Sequence, residues 1–187
     1  NSGGGFVASI RKMGGGDVNI LGVDSDPNAD GMGILIEDNS GGGIAFRGDV
    51  TLNTGANTAL TIQDNTAANS VNFGGTSQLD IDTTSGAGII IHDTGTVSIL
   101  GTGNTVDTGD SVGIDIDNAR SVTINNTTIT NDPNGSNSAV SIAHSIGNNS
   151  LIRFNSMTID SSGDTAVDIL ANGTGVLDIE MDTVDIN

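Results

Sequence analysis

The residues best suited to chemistry in this sequence are its aspartates. Between Asp26 and Glu37 the chain places Asp26, Asn28, Asp30, Gly31 and Glu37 at positions 1, 3, 5, 6 and 12 of a twelve-residue calcium loop, with Asp24 adding a carboxylate just upstream. Oxygen donors at alternate positions and a glycine for the sharp turn are what a hard divalent cation requires. Calcium is therefore the expected cofactor, with Asp24, Asp26, Asn28, Asp30 and Glu37 as its candidate ligands. Two facts compete with that reading. The flanking helices of such a loop are missing, and residues 33 to 37 read as a strand, which would carry Glu37 more than about 10 Å from Asp30. A solvated turn rich in Asp and Asn uses the same residues.

The stretch from Gly14 to Asp24 resembles one unit of the glycine-rich nonapeptide calcium roll, but it stands alone, whereas that roll shares each ion between tandem turns. Acid and base catalysis would need facing carboxylates, and Asp80, Asp82, Asp115, Asp117, Asp168 and Asp178 point outward from strands in suitable pairs. With 21 Asp in the chain such pairs arise by chance, and the basic and aromatic groups that position a sugar are scarce. The chain is expected not to be an enzyme, and no catalytic residue is assigned. His92 and His144 follow equivalent strands two coils apart, about 10 Å, too far to share a metal, and each is expected to be solvated or bonded to a turn. Arg47, Arg120 and Arg153 are expected to pair with Asp on adjacent coils. Outward Thr123, Thr128 and Thr130 hint at a threonine ladder that could order water, yet Asp80, Arg153 and Asp185 interrupt it. Sequons at Asn125, Asn126, Asn134, Asn148 and Asn172 are compatible with secretion.

Composition states which elements must carry these groups. Gly at 28, abundant Asn, Asp, Ser and Thr, and short alternating runs of Val and Ile supply turns and strands. Two Glu, two Gln and one Lys leave nothing from which to build an amphipathic helix. A hydrophobic fraction of 35% is too high for a disordered acidic tail, and four Phe with no Trp or Tyr suit a narrow bore filled by aliphatic side chains. The formal charge of −18 excludes phosphate-backbone binding, so nucleic acid is not a partner. No run is long enough to insert in a membrane, and without Cys neither disulfides nor thiolate sites exist.

A motif of one small residue followed by apolar, any, apolar recurs as GILI (33 to 36), ALTI (59 to 62), GIII (88 to 91), GIDI (113 to 116), AVSI (139 to 142) and AVDI (166 to 169). The first apolar residues are 26, 29, 25, 26 and 27 apart, and Phe6 to Ile10 fills the earlier slot. A second alternating pair per coil (Val18/Ile20, Ile44/Phe46, Val71/Phe73, Val97/Ile99, Val122/Ile124, Ile152/Phe154, Leu177/Ile179) and a looser third one complete the period. The expectation is an all-β, right-handed parallel β-helix of about seven coils of roughly 26 residues, with three short sheets around one bore. At about 4.8 Å per coil it would be near 34 Å long. Four residues after each first inward position come Asp38, Asp64, Asp93, Asn118, His144 and Ala171, a column that begins as stacked Asx turns.

Residues 1–187 read as a single solenoid, beginning at Asn1 as a processed or excised piece, and with no cap visible at either end. Joining Ile186 to Val7 gives a separation of eight, equal to Ile81 to Ile89, or nine if Ala8 is the inward residue. An uncapped segment of a longer array or filament is the implied organisation. The pattern resembles the β-helix segments of large secreted or surface-displayed bacterial proteins, such as autotransporter-like adhesins and filamentous haemagglutinin-like rods. That resemblance implies an extracellular or cell-surface rod, filament subunit or adhesin stalk whose partner is itself, head to tail or in a longer array. A calcium-dependent module binding carbohydrate or a surface, with cell-surface polysaccharide as partner, is the alternative, and a polysaccharide-active enzyme the third. Pectin-lyase-like enzymes of the same fold carry Gly-His-Gly and Arg-x-Lys signatures, and neither tripeptide occurs here.

Overall fold

The computed structural model describes residues 5–24, 31–131, 137–161 and 165–187. They form a right-handed parallel β-solenoid in which every described strand pairs only with parallel neighbours from the coils before and after it. The first face is a seven-stranded sheet of β1 (Phe6–Arg11), β4 (Met32–Glu37), β7 (Leu60–Gln63), β10 (Ile89–His92), β13 (Ile114–Asp117), β15 (Val140–His144) and β17 (Val167–Ala171). Seven stacked strands make about six turns of the expected period.

The second face begins with β2 (Val18–Ile20), β5 (Gly42–Phe46), β8 (Asn69–Phe73) and β11 (Thr96–Ile99), and the third with β3 (Val23–Asp24), β6 (Val50–Gly55), β9 (Leu79–Thr83) and β12 (Asn104–Thr108). From the fifth coil onward these two faces run through single bent strands, β14 (Ser121–Asn131), β16 (Ser150–Ser161) and β18 (Leu177–Ile186). The bend falls at Asn126, Ser156 and Thr183, each in the left-handed region with φ of 49°, 55° and 54°. Hydrogen bonding thus merges the second and third faces into one 11-stranded sheet, although the bore keeps three sides.

The inward residues are those the alternation marks. Ile34, Leu60, Ile89, Ile114 and Val140 are at most 1% exposed, as are Ile36, Ile62, Ile91, Ile116 and Ile142 one pleat on. Stacking like on like removes each from water on all sides, which no single coil could do. Phe46 and Phe73, on successive coils, stack with ring centroids 4.2 Å apart. The small residue before each first strand is explained by its surroundings: a Cβ on Gly113 would lie 2.6 Å from the Ala139 carbonyl oxygen and 2.7 Å from Ile129 Cγ2. The register also corrects one detail of the reading across the ends. Ala8, not Val7, sits opposite Ile34, so the separation from Ile186 is nine rather than eight.

Candidate functional site

Buried polar side chains line all three corners, and the corner after the first face also carries the column of aspartates. Lys12, Asp38, Asp64, Asp93 and Asn118 all adopt positive φ, from 43° to 58°, so the column expected there exists as a column of left-handed residues. Asp and Asn tolerate that conformation better than other chiral residues because their short side chains bond locally. The turn reverses the pleat, so the residue after each left-handed one points inward. Asn39 and Asn65 are consequently buried and form a ladder. Asn39 Nδ2 donates to Asn65 Oδ1 at 2.8 Å and to the Ile10 carbonyl at 3.2 Å, while its Oδ1 accepts from the Met13 amide at 2.9 Å. Asn65 Oδ1 also accepts from the Asn39 amide at 3.1 Å, and its Nδ2 donates to the Ile36 carbonyl at 3.1 Å. The sequence reading missed this ladder because it followed the exposed residue of each pair.

The same geometry overturns the shared placement of the two histidines. His92 ends β10 on the outer face, where its Nε2 donates to Asp115 Oδ2 at 2.9 Å. That bond raises the imidazole pKa above its ordinary value, against the opposing effect of partial burial, and Asp115 is lowered by the same contact. Asp117, beside them, is raised, chiefly by burial and then by Asp93 and Asp115. His144 instead lies inside, 1% exposed, because its coil has no left-handed residue at this corner and the strand's alternation carries it inward. Ser150 Oγ donates to the Ala119 carbonyl at 2.5 Å, which leaves His144 Nδ1 to donate to Ser150 Oγ at 3.2 Å. Its ring bonds the first residue of β16 rather than the turn, and it is not solvated.

The candidate calcium ligands are placed only in part. Asp26, Asn28 and Asp30 lie outside the described residues. Asp24 is the last residue of β3, exposed and opposite Thr51. Glu37 ends β4 and is engaged, pairing with Arg11 Nε at 2.8 Å and accepting from Gln63 Nε2 at 3.0 Å. Among the described residues no three His, Asp or Glu side chains gather as a metal site.

The outward carboxylates are spread over the faces: Asp115, Asp117 and Asp168 on the first, Asp178 on the second, Asp80 and Asp82 on the third. Asp82 faces Asp107 on the next coil, and Asp107 is raised by burial and by that neighbour. Asp80 accepts from Thr105, and threonines continue its column through Thr128 and Thr158 until Asp185 ends it. Arginine pairing departs from expectation. Arg153 Nε meets Glu180, not an Asp, at 2.6 Å, and Arg47 donates to Asn19 at 2.8 Å. Arg120 makes no side-chain hydrogen bond or ion pair with any described residue.

Arg120 lies in a cleft of about 590 Å³ lined by Asn65, Ala67, Asp93, Thr94, Asn118, Arg120, Ile146, Asn148, Asn149 and Ser150. Turn length creates it. The corners of the fourth and fifth coils are three residues long, 93–95 and 118–120, whereas those of the third and sixth are five, 64–68 and 145–149. Short turns form the floor and long turns the walls. Among the described residues no helix is long and apolar enough to cross a membrane. No protein-family model, curated protein or solved structure matches the chain.

Proposed function

We propose that this chain is a structural section of an extracellular or cell-surface rod, filament or adhesin stalk, extended by stacking of further coils on its end faces. One observation carries the proposal. The inner residues of the last coil repeat the bore, with Ile142 opposite Ile169, Phe154 opposite Met181 and Ile159 opposite Ile186. Each coil thus offers the next one a matching apolar column and a row of parallel strand edges, the surface on which another copy would stack.

The test is the mass of this 187-residue chain by light scattering across a range of concentrations. Association that grows with concentration, and is lost in Ile169→Lys with the circular dichroism spectrum retained, is expected. A monomer at every concentration, or association that survives Ile169→Lys, overturns the proposal. The alternative is a calcium-dependent module for carbohydrate or surface binding, supported by exposed Asp24 at the head of its acidic stretch. Calorimetry with calcium and then with chelator decides it: neither heat nor a change in melting temperature removes it.

A further inference from the structure

We propose that the cleft formed by turns 64–68, 93–95, 118–120 and 145–149 is a binding site for a short neutral oligosaccharide. It rests neither on stacking of the ends nor on calcium, since it lies on the flank of the third to sixth coils. Its walls are three coil rises apart, about 14 Å. Its volume of about 590 Å³ is that of a small-molecule site.

The chemistry of the lining selects the ligand. Arg120 and Asp93 both face the cleft without forming an ion pair, and the Asp93 carboxylate accepts no hydrogen bond from a described residue. Asn118 has its Oδ1 occupied by the Ser145 amide at 2.9 Å and Ser145 Oγ at 3.3 Å, and Asn149 has its Oδ1 occupied by the Val176 amide at 3.1 Å. Their Nδ2 groups make no hydrogen bond to a described residue. The cleft therefore offers a guanidinium and the amide donors of Asn118 and Asn149 beside the Asp93 carboxylate, and the Asn148 amide, which makes no side-chain hydrogen bond to a described residue, adds a further donor and acceptor. A ligand must accept and donate within a short span, which vicinal hydroxyls do: each is donor and acceptor at once, and a pair matches the fork of a carboxylate or guanidinium. Ile146 and Ala67 give the C–H faces of a sugar ring an apolar surface. The net charge of −18 disfavours an acidic sugar chain. Lacking an aromatic platform, the site should bind in the millimolar range.

The experiment is titration of the 187-residue chain in chelator with cellotriose, maltotriose and N,N′,N″-triacetylchitotriose, followed by calorimetry and saturation-transfer NMR. Trigalacturonate and free glutamate serve as comparators for acidic-sugar and zwitterion binding. Saturable binding of at least one neutral trisaccharide is expected, weakened about tenfold or more in Arg120→Ala and in Asp93→Asn. Asparagine keeps the left-handed turn at position 93, and Arg120 is exposed, so both variants should melt as the parent does. Arg47→Ala, outside the cleft, should leave binding unchanged. No saturation by any neutral trisaccharide up to about 10 mM overturns the proposal, as does binding of a comparator alone or a folded Arg120→Ala that binds normally.

Discussion

Replacing Asn65 by Ala tests how the corner of the solenoid is held. The substitution removes the acceptor of the Asn39 amide and of one Asn39 Nδ2 proton, and the donor to the Ile36 carbonyl. Asn39 is 0% and Asn65 4% exposed, so water does not replace the lost partners without rearrangement. A buried polar group left unpaired costs about 1–3 kcal/mol, and partial relaxation of three such groups puts the loss at roughly 3 kcal/mol. Asn39→Ala should cost a similar amount, because it strands the Met13 amide and the Ile10 carbonyl. The two residues share bonds, so the double variant should fall short of additivity by about 1–2 kcal/mol. Replacing both by Leu should cost at least as much as either single Ala, because the Met13 and Asn39 amides and the Ile10 and Ile36 carbonyls are backbone groups that all lose their partners together. Urea unfolding followed by circular dichroism measures all four, with a constant denaturant slope showing that the same cooperative unit is compared. A loss below about 0.5 kcal/mol for Asn65→Ala, or strict additivity of the pair, refutes the ladder as a load on stability.

Ile116 is fully buried between Ile91 and Ile142, and Ile116→Asp should cost several kcal/mol in the same unfolding assay, whereas Asp117→Asn should be neutral or slightly stabilising because it removes charge held beside Asp93 and Asp115. Asp64, at φ 54°, should accept Gly with a change within about 0.5 kcal/mol but lose about 1–2 kcal/mol as Val, whose branched Cβ is unsuited to the left-handed region. The His92–Asp115 pair predicts a pH window. Its stabilisation by His92, whose pKa is raised, is fully present below the ordinary imidazole value of about 6.5 and disappears as pH rises through the raised one. The Asp115 contribution, with its pKa lowered, is present above about 3.9 and lost as pH falls through the lowered value. The difference in melting temperature between the parent and His92→Gln should therefore be greatest between about pH 4 and 6.5 and vanish in mild alkali; a difference independent of pH would contradict the ion pair.

Much of the fold is legible in the sequence because a stacked coil repeats its inward residues at a fixed period. The six small-apolar-any-apolar motifs locate the first face, and the Val and Phe pairs after them locate the second. What alternation cannot supply is the direction of side chains at the corners. Period 2 holds only while the chain stays extended, and one left-handed residue resets it. Asp38 and Asp64 make that reset and send Asn39 and Asn65 inward; the sixth coil omits it and sends His144 inward instead, although spacing alone aligns His144 with the aspartates. The sequence thus determined that this chain winds into coils and which residues line the straight runs of the bore. Tertiary structure decided which polar residues are buried at the corners and which cleft opens on the flank, because both depend on how a turn of one coil sits against turns of different length and conformation in the coils above and below.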